Sequence, residues 1–225
     1  MQWLKVALYL AFCVLPWSMR RRALSIAFGY QIDPSARISR MAFVMPRKLI
    51  LKRGARIGPL TVAVNLDLLE MGTGSTIGRG NWITGFSGES SAHFSHRHER
   101  NSRLLLGDES SITKSHLIDC TDSVIIGSYT TIAGYDSQIL THGIDYIENR
   151  QDCGPVTIGS YCLVGSGVII VPKASLADFC IVGAGAVLVG ENNKSWALYA
   201  GAPAECKKVI SKDSRYFSRS RGHVS

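Results

Sequence analysis

The chain has 225 residues, 46% of them hydrophobic, and a formal net charge of +8. That length suits one domain with appendages, and that hydrophobic share is ordinary for a globular protein. The positive charge implies anionic partners, but no nucleic-acid module is present and the basic residues gather near the two ends, which argues against nucleic acid.

Residues 1–29 form the first segment. MQWLKVALYLAFCVLPW is apolar except for Gln2 and Lys5, and Arg20, Arg21 and Arg22 follow. A secretory signal would carry its charge before the apolar run and a small-residue cleavage site after it, and neither is clear. A spanning helix needs about 20 apolar residues, and Pro16 cuts the run short. A helix lying at a membrane interface through residues 1–22, held by Trp3, Trp17 and the arginines, fits best. The competing reading is a helix packed on the rest of the fold as a cap or subunit contact.

Residues 30–192 carry a period of six. Ile32, Ile38, Val44 and Ile50 begin it, Met71, Ile77 and Ile83 resume it, and Leu106, Ile112, Ile118 and Val124 extend it, with Ile126 and Ile132 in a further run. It is cleanest at Ile158, Val164, Ile170, Leu176, Val182 and Leu188. Four places after these stand Cys162, Val168, Ala174, Cys180, Ala186 and Asn192, all compact until the last. Six fits neither a helix nor a two-layer strand; it predicts short parallel strands coiled around a narrow apolar core, an all-β hexapeptide β-helix. Two stretches break it, 87–103 and 143–155, and both are expected to be loops. The cysteines, at 13, 120, 153, 162, 180 and 206, form no CxxC pair. Cys162 and Cys180 read as small core residues in a reducing, cytoplasmic setting. Residues 193–225 read as a C-terminal extension ending in a basic, Ser-rich, mobile tail.

Chemistry must come from residues that leave the repeat. His116 occupies a compact position that elsewhere holds Ala, Val, Cys or Ser; it is either a satisfied buried histidine or a ring projecting into a cleft. His142 stands at the edge of the second loop, where an imidazole with a pKa near 6.5 can take a proton at neutral pH. His93, His96 and His98 invite a metal, but no Cys or carboxylate pattern completes a site and Arg97 and Arg100 intervene, so no metal is expected.

The segments ITKSHLIDCTDSVIIGSYTTIAGYDSQILTHGID, GPVTIGSYCLVGSGVIIVPKASLADFCIVGAGAVLVG and LYAGAPAECKKVI together resemble the hexapeptide-repeat acetyltransferases, most closely polysaccharide O-acetyltransferases of exopolysaccharide and colanic-acid type. The likeness covers residues 104–210 well and 30–88 only through the repeat. It implies a left-handed β-helix, a homotrimer with active sites between subunits, and acetyl-CoA as donor. It also implies His142 as general base, and Ser166, Ala184, Lys207 and Lys208 along the CoA arm. The smaller sugar acetyltransferases carry an Asn near the place of His116, which is expected here to orient the acceptor or steady the His142 ring. Glu205 stands where many members carry a basic residue, and Val189-Gly190 where Thr-Lys is common. The expected reaction is direct acetyl transfer to a sugar hydroxyl of a free or lipid-linked glycan at the inner face of the cytoplasmic membrane. N-acetylation of an amino sugar and a non-catalytic β-helix scaffold are the alternatives.

Overall fold

The computed structural model of the chain describes residues 2–88 and 93–222. Met1, residues 89–92 of the polar loop and 223–225 of the tail lie outside them. Among the described residues the coil is built of three sheets of eight, nine and seven strands, parallel except for the last strand of the second, and many only two residues long. Consecutive strands fall in different sheets, so the chain winds as a three-sided β-helix, as its period predicts, and of the left-handed type that the resemblance implies. The first sheet runs from Gln31–Ile32 to Glu191–Asn192 and the second from Arg37–Ile38 to Ala197–Ala200. The third runs from Phe43–Met45 to Val187–Leu188.

Each two-residue strand turns one side chain out and one in, because successive Cβ atoms alternate across a strand. The six aliphatics from Ile158 to Leu188 are all at most 3% exposed. Parallel pairing stacks like on like: in the second sheet Ile38, Ile57, Ile77, Ile112, Ile132, Val164 and Val182 form one buried column. One expected position slips. Leu49 and Leu51 point inward and Ile50 only half-buries, because Ile32 pairs with Leu51. The four-residue strand Lys48–Leu51 has room for two inward residues, so the period shifts by one.

The compact column follows the same rule with polar members. Thr61 Oγ1 donates to Gly78 O at 2.6 Å, Ser110 Oγ to Gly127 O at 2.6 Å and Thr130 Oγ1 to Gly159 O at 2.6 Å. Each hydroxyl is thus satisfied by the next coil, worth about 1 kcal/mol. Cys162 and Cys180 take equivalent places, their free thiols directed to Ala177 O and Lys194 O. His116 belongs to this column as well. It is 2% exposed, its backbone N–H donates to Asn81 Oδ1, and its Nδ1 accepts the Ser137 N–H at 3.2 Å. Nε2 therefore carries the proton, 3.1 Å from Thr113 Oγ1. The ring is held inside the coil rather than projecting into a cleft.

The amino terminus is two helices. α1 spans Gln2–Phe12 and α2 spans Trp17–Phe28, separated by Pro16, which cannot continue a helix but suits the entrance to one. Gly29, at φ 69°, closes α2 in the left-handed conformation. Together they cap the open end of the coil. Tyr9, fully buried, donates to Ala42 O and accepts from the Val44 N–H. Arg20, expected to face lipid, is also fully buried and donates to the carbonyls of Ile38 and Ser39 and to the Tyr9 hydroxyl. The outer face stays apolar, with Trp3, Leu4, Leu10, Val14 and Ile26 exposed. No helix among the described residues is long and apolar enough to cross a membrane.

The second interruption is ordered: His142–Asp145 and Arg150–Cys153 pair as an antiparallel hairpin. The coil also continues past 192 through Ala197–Ala200, and Glu205–Val209 folds back antiparallel on that last strand. The tail expected to be mobile is docked through its described residues. Tyr129, Tyr161, Phe179 and Trp196 stack at successive corners with ring centroids 4.6, 5.4 and 4.4 Å apart. Phe217 packs edge-on against Phe179 and Trp196, and Arg219 lies over Tyr216 and Tyr161.

Two outcomes follow from this packing. Phe217→Ala should cost about 3 kcal/mol, since it removes a buried ring from the tail's anchor; chemical denaturation measures it, and an unchanged midpoint would mean the tail contributes nothing. Burial lowers the His116 pKa from 6.5 to about 4. As pH falls through 6.5 the unfolded chain takes up a proton that the folded chain refuses until about 4, so stability is lost across that window. The loss amounts to about 3 kcal/mol. His116→Gln should abolish that share of the slope in urea titrations between pH 7 and 4.5, whereas an identical slope would refute the linkage.

Candidate active site

Both interruptions leave the coil at the corner between the third and first sheets. One follows Trp82–Gly85 and the other follows Gln138–Ile139, with the tight corner at 121–123 stacked between them. Leu117–Cys120 lies directly beneath Gln138–Ile139, with Ile118 opposite Ile139. Asp119, the next residue, therefore arrives below Thr141 and His142.

Asp119 is 6% exposed and surrounded by donors. Its Oδ1 accepts the Thr121 N–H at 3.0 Å and the Thr121 hydroxyl at 2.7 Å. Its Oδ2 accepts the Thr141 N–H and hydroxyl, the His142 N–H, and His142 Nδ1 at 2.7 Å. Burial raises the pKa of such a carboxyl, but the bonds from Thr121, His142 and Thr141 outweigh it and hold the group below its ordinary 3.8. An ionised carboxylate only accepts, so His142 Nδ1 carries the proton and Nε2 keeps its lone pair. The His142 side chain is 46% exposed, which leaves that nitrogen open to a reactant. The pair has the geometry of a base with its orienting carboxylate.

A second carboxylate ties the two interruptions together. Asp152, on the hairpin, binds Arg97 through Oδ1 at 2.5 Å and Oδ2 at 2.7 Å, and Lys173 at 2.8 Å. The Arg97 bonds come first among the causes that hold its pKa far below the carboxylate range. His96 stands 3.3 Å from the same carboxylate and His93 packs against Phe86. No group of three or more His, Cys, Asp or Glu that could hold a metal occurs among the described residues.

The remaining expected residues lie elsewhere. Ser166 and Ala184 are stacked at the corner between the second and third sheets, where Gly165 abuts Ala184. The neighbouring Gly167 and Gly185, at φ 65° and 69°, face open space. Lys207 and Lys208 lie on the exposed last strand, and Lys207 pairs with Glu205 at 2.9 Å. One chain thus does not bring these positions to His142, which occupies a different corner, and His116 is inside the coil. Asp119 and Thr121 complete the site, and no motif of the sequence singles them out. Their signal is a carboxylate one coil before the histidine, which shows only once Leu117–Cys120 is registered against Gln138–Ile139.

No sequence-family model matches the chain, and no curated protein is significantly similar to it. Solved structures do match. The polySia-specific acetyltransferase NeuO superimposes with a TM-score of 0.54 at 18% identity, over 83% of this chain and 78% of that one. A variant of AntD, an N-acyltransferase from Bacillus cereus in complex with dTDP and coenzyme A, gives 0.51 at 14% identity, over 91% and 96%. At these identities the likeness is one of fold, and the chain is a left-handed β-helix of the hexapeptide-repeat type built like these two acyltransferases.

Proposed function

We propose that this protein is an acyl-CoA-dependent acyltransferase that acetylates a sugar hydroxyl, with His142 as general base. The observation that carries the reading is the Asp119–His142 pair, with a half-exposed ring and a fixed tautomer, at the corner where both interruptions leave the coil. A sugar hydroxyl is a weak nucleophile at neutral pH. His142 Nε2 takes its proton as the oxygen attacks the thioester carbonyl; the C–S bond then breaks and the proton passes to the departing sulfur. Asp119 keeps Nδ1 protonated and stabilises the imidazolium that forms in between. Backbone N–H groups at the coil corners serve the oxyanion. No Ser or Cys is assigned as nucleophile, so transfer is direct.

The donor arm is assigned to the corner of Ser166 and Ala184, whose open glycine surface suits a thin chain, with Lys207 and Lys208 for the phosphates. Because that corner and His142 belong to different edges of one chain, a homotrimer is the arrangement that joins them. The outer face of the third sheet supports it: Trp82 and Leu117, opposite one another, are exposed, as are Ile144, Tyr146 and Ile147 of the hairpin. N-acylation of an amino sugar is the second reading, favoured by the fold shared with AntD. We place the enzyme at the cytoplasmic face of a membrane, held by the outer face of α1 and α2 rather than by Arg20.

His142→Ala should lower acceptor-dependent CoA release by roughly 10²–10⁴ while leaving the melting temperature unchanged. Asp119→Asn should lower it comparably, because an amide can donate to Nδ1 and so favours the wrong tautomer. A folded His142→Ala protein of normal turnover would sink the assignment. The double change Trp3→Glu and Leu4→Glu should abolish flotation with anionic vesicles and spare transfer to a soluble sugar; a wild-type protein that never floats removes the membrane reading.

A further inference from the structure

We propose that a cavity beside the Asp119–His142 pair binds the anionic group, carboxylate or phosphate, of an acidic acceptor sugar. The inference rests on the acyltransferase reading, and its test is chosen to separate the two.

The cavity, about 520 Å³, opens on the outer side of the first sheet between residues 97–103, the corner at 122–123 and the chain leaving the hairpin. Four cations line it, Arg97, Arg100, Arg103 and Lys173, against Glu99 and Asp122. Asp122 is occupied with the backbone, accepting the Ser123 N–H at 2.7 Å and the Asn101 N–H at 3.3 Å. Arg97 and Lys173 share the single carboxylate of Asp152, so that trio keeps a net positive charge.

Arg103 is the informative member. It opens the strand Arg103–Leu106 and is half-buried. Its Nε donates to Ser123 Oγ at 3.0 Å, which fixes the plane of the guanidinium. Among the described residues it has no acidic partner. A fixed guanidinium without a carboxylate, at the wall of a cavity, suits the paired oxygens of a carboxylate or phosphate. Ile125 and Pro155 add apolar surface for a sugar ring.

The cavity adjoins the base. Cys153 lines it and is the partner of His142 across the hairpin. Asp122 also lines it, and its N–H donates to Thr141 Oγ1, on the residue before His142. His142 itself does not line the cavity, but a sugar anchored there by its acid group can extend past Cys153 and Asp122 toward the corner that carries His142.

The test uses the full-length protein without acyl donor. Calorimetric titration compares a short oligogalacturonate with its fully methyl-esterified form, which keeps the shape and removes the charge. The wild type should bind the acid roughly tenfold more tightly, and Arg103→Ala should erase that preference while Arg103→Lys keeps part of it. If Arg103→Ala fails to fold, Lys173→Ala should reduce the same preference several-fold. A parallel arm with galactose 1-phosphate against galactose distinguishes a phosphate from a carboxylate as the preferred group. Equal affinity for acid and ester together with no preference for the phosphate, no binding of any probe, or an unchanged preference in folded Arg103→Ala would overturn the proposal. Displacement of the bound acid by desulfo-CoA would assign the cavity to the donor and overturn it too. CoA release with an acceptor is read separately, so an active enzyme indifferent to acidic sugars loses this inference and keeps its function.

Discussion

Every coil of this protein must stack on the next at the spacing of hydrogen-bonded parallel strands, about 4.8 Å. That constraint orders the rest of the structure. An inward side chain faces the same position of the coils above and below, so it must be compact or branched and must pack on its like. The second-sheet column from Ile38 to Val182 meets the condition with aliphatics. Where the column is polar, the same stacking supplies the partner, as with Thr61, Ser110 and Thr130. His116 is the largest departure, and it is tolerated because Asn81 below and Ser137 above bond it on both sides.

An interior so filled has no space for a reactant, which confines chemistry to corners. At the corner between the third and first sheets the stacking itself assembles the pair: Ile118 lies opposite Ile139, and this puts a buried carboxylate under Thr141 and His142. The donors around Asp119 come from three residues on two coils, so its ionised form depends on the intact stack rather than on any local motif. The ion pairs of Asp152 with Arg97 and Lys173 then fasten both excursions to the rod.

A stack also has ends, and unpaired strand edges invite association. Here Tyr9 and Arg20 occupy carbonyls and N–H groups at the first coil, while Glu205–Val209 covers part of the last strand. The tail protects a side instead, laying Phe217 and Arg219 on the aromatic corner column. The helices therefore have a structural task on one face whatever their outer face binds.

The period of six, read from Ile158 to Leu188, determined the coil, its inward residues and the thiol character of Cys162 and Cys180, because stacking imposes one residue type at one interval. It also made His142 conspicuous, since the repeat stops beside it. Tertiary structure alone decided what lies next to it. Asp119 is 23 positions earlier, and only the register of two strands in neighbouring coils, Leu117–Cys120 against Gln138–Ile139, brings the two together. Likewise a run of arginines carries no sign of which one will be buried, and Arg20 is inside because helix rotation on the first coil aims it at the carbonyls of Ile38 and Ser39. A repeat is a local, periodic signal; a contact between elements that break it is neither.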